Sequence, residues 1–124
     1  MSDGSVRFAS QEPRAGAAAS GSFDPALLAR FFRVLGDPTR LRLLTLLVER
    51  DQTVSELVEA LSAPQGRVST HLGCLRWCGF VTARREGRQM LYTIADTRVR
   101  EQLALASTMM RDYAAGIASC GVIR

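Results

Sequence analysis

The apolar residues of this chain keep a helical spacing from residue 24 to residue 78 and then change to the alternation typical of short strands. Asp24-Pro25 and Asp37-Pro38 each combine a capping aspartate with a proline in the first turn, which predicts two helix starts. Gly36 lies between the two predicted helices and is expected to end the first. A chain with this switch in period is limited to a mainly helical fold that carries one small β element.

Two shorter helices are predicted between residues 53 and 78. Thr53-Val54-Ser55-Glu56 has the spacing of a capping box, in which the threonine and glutamate side chains each satisfy a free amide. Ser62-Ala63-Pro64-Gln65 has a similar S-x-x-Q spacing and predicts the start of the next helix. That helix is predicted over Gln65–Cys78, with a left-handed cap at Gly79. Its expected buried stripe is Val68, Leu72 and Leu75.

A basic β-hairpin and a last helix complete the pattern. Strands are predicted at Phe80–Ala83 and Met90–Ile94, joined by a polar, glycine-containing turn over residues 84–89. Residues 97–118 are predicted to be one helix. This helix has more apolar residues than packing on one side requires, which indicates either a dimer interface or a fully buried helix. The residues are Val99, Leu103, Leu105, Met109, Met110, Tyr113 and Ile117.

This order of elements is that of a winged helix-turn-helix, a mainly α fold of the α+β kind. The sequence predicts a two-stranded basic wing and terminal helices that form a dimer interface. Residues 23–118 are expected to form the DNA-binding and dimerisation domain. Residues 1–22, rich in Ala, Gly and Ser, are expected to be a flexible N-terminal arm, and residues 119–124 a C-terminal tail.

Length and composition exclude several classes of protein. The 124 residues, 47% apolar and 23% charged, suit one domain and leave no room for a separate catalytic domain. No apolar run approaches the roughly 18 residues of a membrane span, and the first residues do not resemble a secretory signal. A cytoplasmic protein without membrane contact is therefore expected. No nucleophile–base pair, phosphate loop or carboxylate dyad is present, so we expect no enzyme, organic cofactor or small organic substrate.

The positive charge is concentrated in one stretch. All 16 basic residues are arginine, and the net charge is +4. Residues 64–100 contain seven arginines and two acidic residues, so this stretch carries 7 − 2 = +5 and the remaining chain −1. A concentrated positive charge of this kind is typical of a polyanion partner, here double-stranded operator DNA.

The residues expected to contact DNA lie on the second helix of the helix-turn-helix and on the wing. Arg67 can pair with guanine and Gln65 with adenine in the major groove, while the wing arginines contact phosphates or the minor groove. The alternative for each residue is a solvated surface side chain, and for His71 a structural histidine with its hydrogen bonds satisfied. The full set is Gln65, Gly66, Arg67, Ser69, Thr70, His71, Arg76, Arg84, Arg85, Arg88 and Gln89.

Three collinear segments resemble one known family. Residues 35–44, Leu-Gly-Asp-Pro-Thr-Arg-Leu-Arg-Leu-Leu, resemble the helix-two signature of the ArsR/SmtB metal-responsive repressors. Residues 68–76 resemble their recognition helix and residues 84–92 their wing. The match runs from about residue 26 to about residue 110 without large gaps. The resemblance implies a homodimeric repressor, joined through its first and last helices, that releases its operator when an inducer binds.

The three cysteines are candidates for a metal site. Cys74 and Cys78 stand four residues apart, so their thiols share one side of the helix and are poorly placed for a disulfide. They flank the core stripe and suit half of a metal site, with Cys120 in the tail as a third ligand. Small apolar core fillers are the alternative, since a free cysteine is often buried.

The ligand type points to soft metal ions. Three thiolates suit mercury, cadmium or lead, whereas zinc prefers a fourth ligand. Cys-x-x-x-Cys in the recognition helix with one tail cysteine resembles the actinobacterial cadmium/lead sensors of the family, in which the tail cysteine comes from the other protomer. Thr53, Ser55 and Val58 stand where other members have a cysteine-rich site. The whole chain is most similar to members that repress mercury-resistance operons, which implies Hg(II) as inducer and Cd(II) or Pb(II) as alternatives.

The sequence therefore predicts a metal-sensing transcriptional repressor that controls a mercury-resistance operon. A thiol-redox repressor of the same fold is an alternative, which requires a thiolate of low pKa and a resolving partner. A constitutive DNA-binding protein with incidental cysteines is another.

Overall fold

The computed structural model describes residues 23–122 of the chain. The arm expected at residues 1–22 and the last two residues of the expected tail lie outside this range. The elements in chain order are α1 (Pro25–Leu35), α2 (Pro38–Glu49), β1 (Gln52–Thr53), α3 (Val54–Leu61), α4 (Gln65–Trp77), β2 (Val81–Glu86), β3 (Gln89–Ile94), α5 (Thr97–Asp112) and α6 (Ala114–Ser119).

The first three helices begin where the sequence predicts. The carboxylates of Asp24 and Asp37 accept hydrogen bonds from amides in the first turns of α1 and α2, at 3.1 and 2.8 Å for the shorter bond of each. Both bonds of the predicted capping box are present in α3: Thr53 Oγ1 accepts from the Glu56 amide, and Glu56 Oε1 from the Thr53 amide. Local capping chemistry alone therefore determines these starts.

The predicted start of α4 at Gln65 is confirmed, but the predicted capping role of Ser62 is wrong. Ser62 has a left-handed φ of 53° and ends α3, while Pro64 stands at the N-cap of α4 with no side-chain cap. Ser62 lies two residues before that N-cap, because the tight turn uses its backbone to close the preceding helix. The S-x-x-Q spacing is thus coincidental, and the first amides of α4 lack a side-chain acceptor from the N-cap residue.

A single hydrophobic core joins α2, α3 and α4 to the base of the sheet. Val68, Leu72 and Leu75 of α4 are fully buried, so the predicted stripe is confirmed. Packing of this stripe turns the opposite side of α4 outward. The buried apolar residues are Leu43, Leu44, Leu47, Leu57, Leu61, Val68, Leu72, Leu75, Phe80, Val81 and Val99.

The wing is longer than predicted and is part of a three-stranded sheet. The antiparallel strands β2 and β3 pair from Val81 with Ile94 to Glu86 with Gln89, and the strand order is β1-β3-β2. The predicted turn over residues 84–89 shrinks to residues 87–88, where Gly87 supplies a φ of 64°. The sequence missed β1, because a two-residue strand has no period, and misjudged the turn, because polar residues occupy an exposed strand.

The predicted helix over residues 97–118 is in fact two helices, α5 and α6. Tyr113, with a φ of −122°, lies between them, and its amide is shared by the carbonyl oxygens of Met109 and Met110. Such a shared bond is a common way for a helix to end, and apolar spacing does not reveal it. Within residues 23–122, no helix is long and apolar enough to cross a membrane.

The terminal helices leave large apolar side chains exposed. Phe32 of α1 is 57% exposed, Met109 of α5 is 55% exposed, and Tyr113 is 66% exposed. Leu105, Met110 and Ile117 on the same α5–α6 segment are also exposed. The additional apolar residues predicted for the last helix are therefore not buried within one chain. The alternative of a fully buried helix is wrong for these residues.

Candidate DNA-binding surface and thiol site

The first two turns of α4 present a polar, unobstructed face. Gln65, Arg67, Ser69 and Thr70 are exposed while Val68 between them is buried. A side chain at Gly66 would meet nothing within 4 Å, so the backbone there is open to a close approach. This is the part of a recognition helix that enters the major groove. The structure thus brings together five of the residues expected to contact DNA, and their contacts with bases remain a prediction.

His71 differs from its neighbours. It is half-buried, and its Nδ1 atom is buried without a hydrogen-bond partner among the residues that the structure describes. Burial opposes ionisation of Asp37, yet the Arg40 amide, the charge of His71 and the Thr39 amide together hold its pKa below the usual value. His71 therefore lies near the start of α2, but its unpartnered Nδ1 does not match the structural alternative, which predicts a histidine with its hydrogen bonds satisfied.

The wing places a second group of basic side chains on the surface. Arg84, Arg85, Arg88 and Gln89 are all exposed. Arg84 Nε donates to Glu86 Oε2 at 2.9 Å, so one wing guanidinium already has an acidic partner. Any phosphate that binds Arg84 must compete with this carboxylate.

The remaining arginines of the basic stretch are used differently. Arg98 Nη2 pairs with Asp96 Oδ2 at 2.6 Å, and Arg100 donates to the Val48 carbonyl oxygen. Arg76 is exposed in the last turn of α4, about 14 Å along the helix from Arg67 at 1.5 Å per residue. Arg76 is thus remote from the exposed first turns of α4, where the contacts with bases are expected.

Cys74 and Cys78 lie side by side at the end of α4, both half-buried. Burial raises the pKa of the Cys78 thiol, and the adjacent Cys74, through its charge and a side-chain hydrogen bond, raises it further. Arg40 and Arg30 oppose the increase. Two neighbouring thiols are soft ligands of the kind that a soft metal ion requires.

Arg40 is a part of this site that sequence reasoning missed. Its Nη1 atom lies 3.7 Å from Cys74 Sγ, while Nε donates to the Val34 carbonyl oxygen at 2.7 Å and Nη2 to the Arg33 carbonyl oxygen at 3.4 Å. The guanidinium thereby provides hydrogen bonds to free carbonyl oxygens at the end of α1 and also contacts the Cys74 thiol of α4. The only sequence signal is its place in residues 35–44, which says nothing of a thiol contact.

The third cysteine is not brought to the other two. Cys120 is exposed at the end of α6, and among residues 23–122 no three Cys, His, Asp or Glu side chains converge on a point that could hold a metal. Within one chain the structure thus forms a pair of thiols rather than a complete three-sulfur site. The prediction that Cys120 is a ligand requires another position of the tail or a second protomer.

Comparison with known proteins adds to this geometry. A family model described as "Bacterial regulatory protein, arsR family" matches residues 37–83, which contain the helix-turn-helix and the first wing residues. The chain is 45% identical over 96 residues, 77% of each chain, to a "Probable mercury resistance operon repressor" of Streptomyces lividans.

Two solved structures share the fold. The crystal structure of Rv0081 from Mycobacterium tuberculosis superposes with a TM-score of 0.71 and 38% identity, covering 77% of this chain and 96% of that one. A homodimeric winged helix-turn-helix DNA-binding domain from Mycobacterium bovis is described as a possible ArsR-family regulator. It superposes with a TM-score of 0.66 and 31% identity, covering 77% of this chain and 93% of that one. These similarities fit the mainly helical winged fold described above.

Proposed function

Because the chain belongs to the arsR family of bacterial regulatory proteins, a family of transcriptional regulators rather than enzymes, we propose that it is a metal-released repressor. It binds operator DNA in the cytoplasm as a homodimer and dissociates when a soft heavy-metal ion, Hg(II) first, occupies its thiols. The observation that carries this proposal is the position of Cys74 and Cys78, both half-buried and one turn apart, at the end of the helix whose first turns expose the residues expected to contact DNA.

The DNA-binding part of the proposal assigns α4 to the major groove and the wing to the flanking backbone. Gln65 and Arg67 read bases, Gly66 permits a close approach, and Ser69 and Thr70 contact base edges or phosphates. Arg84, Arg85, Arg88 and Gln89 on the wing provide affinity with little sequence preference. His71 and Arg76 are assigned to the DNA backbone rather than to bases, because His71 is only half exposed and Arg76 lies at the far end of α4.

The homodimer is supported by the exposed apolar residues of the terminal helices. Phe32, Met109 and Tyr113 are each more than half exposed in one chain, a state that favours association. The similar domain from M. bovis is described as homodimeric. A two-fold dimer would present two copies of α4 to successive major grooves, as an operator with two half-sites requires.

The metal part of the proposal depends on the thiols. Cys74 and Cys78 supply two soft ligands, and Cys120 supplies a third from the tail of the other protomer. Hg(II) is preferred because the S. lividans relative is described as a mercury resistance operon repressor. Cd(II) and Pb(II) are alternative ions for the same ligands.

Release of DNA follows from the position of these ligands. Metal bound at Cys74 and Cys78 would shift or stiffen the recognition helix itself. A further bond to Cys120 would pull the tail across this helix. The resulting state no longer matches both half-sites. Coupling of about 1–3 kcal/mol between metal and DNA binding is sufficient for a regulatory response.

The test is operator binding followed by fluorescence anisotropy during titration with Hg(II), Cd(II), Pb(II) and Zn(II), under anaerobic conditions with a competing thiol. Release by Hg(II) near one ion per protomer, with Zn(II) without effect, supports the proposal. Release by Cd(II) or Pb(II) alone changes the assigned ion. Release by an oxidant that a reductant reverses, with no response to metals, contradicts metal sensing and supports the redox alternative.

A further inference from the structure

A cavity of about 320 Å³ lies between α1 and the end of α4, directly beside Cys78. Cys78 forms part of its wall, next to the aromatic side chains of Phe31 and Trp77. Arg30, Arg33 and Arg40 form the polar part of the lining, and no acidic side chain is among the lining residues. The cavity therefore combines a thiol, an apolar wall and three positive charges.

The positive charges of this cavity are not neutralised by ion pairs. Arg30 and Arg33 are exposed, and within residues 23–122 neither has a carboxylate within salt-bridge distance. Arg40 directs its nitrogen atoms at two carbonyl oxygens and the Cys74 sulfur rather than at an acid. Such an entrance repels a bare divalent cation and attracts an anion, although the thiols next to it suit a metal.

A soft metal ion that arrives bound to small anionic thiols is attracted to the positive entrance and can still reach the protein thiols. In a solution rich in thiols, Hg(II) is held between two thiolate sulfurs, and a carboxylate on each thiol makes the complex anionic. A carboxylate pairs well with a guanidinium, and the carbon chain of the thiol suits the aromatic wall. The cavity volume lies at the lower end of the range for small-molecule sites, which suits a compact thiol acid.

We propose that the cavity formed by Arg30, Arg33, Phe31 and Trp77 binds the carboxylate-bearing thiol that carries the metal, and so presents the metal to Cys78 and Cys74. This inference rests on the proposed metal-sensing function. The transfer is a ligand exchange without oxidation: each protein thiol forms a sulfur–metal bond, and each carrier thiolate leaves and takes up the proton that the protein thiol loses.

The test compares two Hg(II) complexes in stopped-flow experiments on the full-length protein without DNA. One complex carries two 3-mercaptopropionate ligands and is anionic, and the other carries two 2-mercaptoethanol ligands and is neutral. Trp77 is the only tryptophan and lines the cavity, so quenching of its fluorescence reports the arrival of the heavy atom. We expect the anionic complex to react about five- to tenfold faster at low ionic strength, with the difference shrinking as salt is added.

A pair of double variants separates cavity charge from total charge. Arg30→Gln with Arg33→Gln should remove the advantage of the anionic complex and leave the rate with the neutral complex unchanged. Arg42→Gln with Arg50→Gln removes the same total charge from exposed arginines outside the cavity and should retain the advantage.

Two results would overturn the inference. Equal rates for the two complexes in the unaltered protein, as expected if a segment of a second copy fills the cavity, contradict it while leaving metal sensing intact. An advantage that survives the loss of Arg30 and Arg33 contradicts it as well. Quenching that is the same after Cys74→Ser with Cys78→Ser would instead show that the metal does not bind these thiols, and would contradict the proposed function itself.

Discussion

Arg40 Nη1 lies 3.7 Å from Cys74 Sγ, while the same guanidinium donates to the Val34 carbonyl oxygen at 2.7 Å. One side chain of α2 therefore connects the end of α1 to the thiols on α4. A metal bound at Cys74 would act next to the guanidinium that donates to the carbonyl oxygens at the end of α1. This links the proposed metal site to a helix that we assign to the dimer interface.

Replacement of Arg40 should raise the pKa of the Cys78 thiol. Arg40→Gln removes a positive charge that opposes the increase in the Cys78 pKa, so that pKa should rise further. The pH dependence of alkylation by iodoacetamide should then move to higher pH. Arg42→Gln, an exposed change on the same helix, is the control. An unchanged alkylation profile in Arg40→Gln would contradict an electrostatic role for Arg40.

The three cysteines should be dispensable for DNA binding and required for release. Cys74→Ser, Cys78→Ser and Cys120→Ser each keep a small side chain, so operator affinity measured by anisotropy should change less than twofold by our estimate, about 0.4 kcal/mol. Release by Hg(II) should be lost, because a hydroxyl is a poor ligand for a soft ion. A variant that still releases DNA at the normal metal concentration removes that cysteine from the ligand set.

Glu86 should weaken DNA binding through its ion pair with Arg84. Glu86→Gln frees the guanidinium and removes a negative charge from the wing, so we expect operator affinity to increase about two- to fivefold at low salt. In an Arg84→Gln background the same change should have a smaller effect. Equal effects in both backgrounds would mean that Glu86 acts as a general repulsive charge.

Arg67 and Arg85 should affect different properties of the complex with DNA. Arg67→Ala removes the proposed guanine contact and should reduce discrimination between the operator and a scrambled duplex by about 1–3 kcal/mol. Arg85→Ala should weaken binding to both duplexes alike and lower the salt dependence by about one phosphate contact. Anisotropy on both duplexes over a range of salt concentrations measures both quantities. Equal losses on the two duplexes for Arg67→Ala would contradict base reading.

The ion pair at the start of α5 should make stability depend on acid pH. Hydrogen bonds and charge from Arg98 lower the pKa of Asp96 from 3.8 to about 2. A carboxyl group whose pKa is lowered by folding stabilises the fold at any pH above its pKa in the unfolded chain. This contribution disappears as the pH falls from about 4 to about 2. Because Arg98 is half exposed, we expect only about 1 kcal/mol at neutral pH.

Asp96→Asn tests this dependence, since asparagine retains the N-cap but not the charge. Urea unfolding at pH 7 should show a lower free energy of unfolding for the variant, and the difference should vanish near pH 2. Asp24→Asn makes the same change at the N-cap of α1, where the carboxylate accepts backbone amides. A difference for Asp96→Asn that persists at pH 2 would contradict the assignment to the ion pair.

The sequence by itself determined the features that depend on neighbouring residues. Helix starts at Asp24, Asp37 and Thr53 follow from a polar side chain within reach of its own helix's free amides. The buried stripe of α4 follows from a 3.6-residue period, and the left-handed φ at Gly79 follows from the freedom of glycine. The order of helices and wing therefore determined the fold class without any distant contact.

The tertiary structure decided which residues from distant parts of the sequence come into contact. The contact of Arg40 with Cys74 spans 34 residues of sequence, and the pairing of β1 with β3 joins segments about as far apart, so no local period contains either. The same holds for the cavity beside Cys78 and for the half-buried position of His71. Ser62 shows the opposite failure, because its spacing to Gln65 suggested a cap of α4 while its backbone closes α3 instead. Local chemistry determines the elements, and their packing in space determines the site, because contacts between distant segments depend on how the core brings whole helices together.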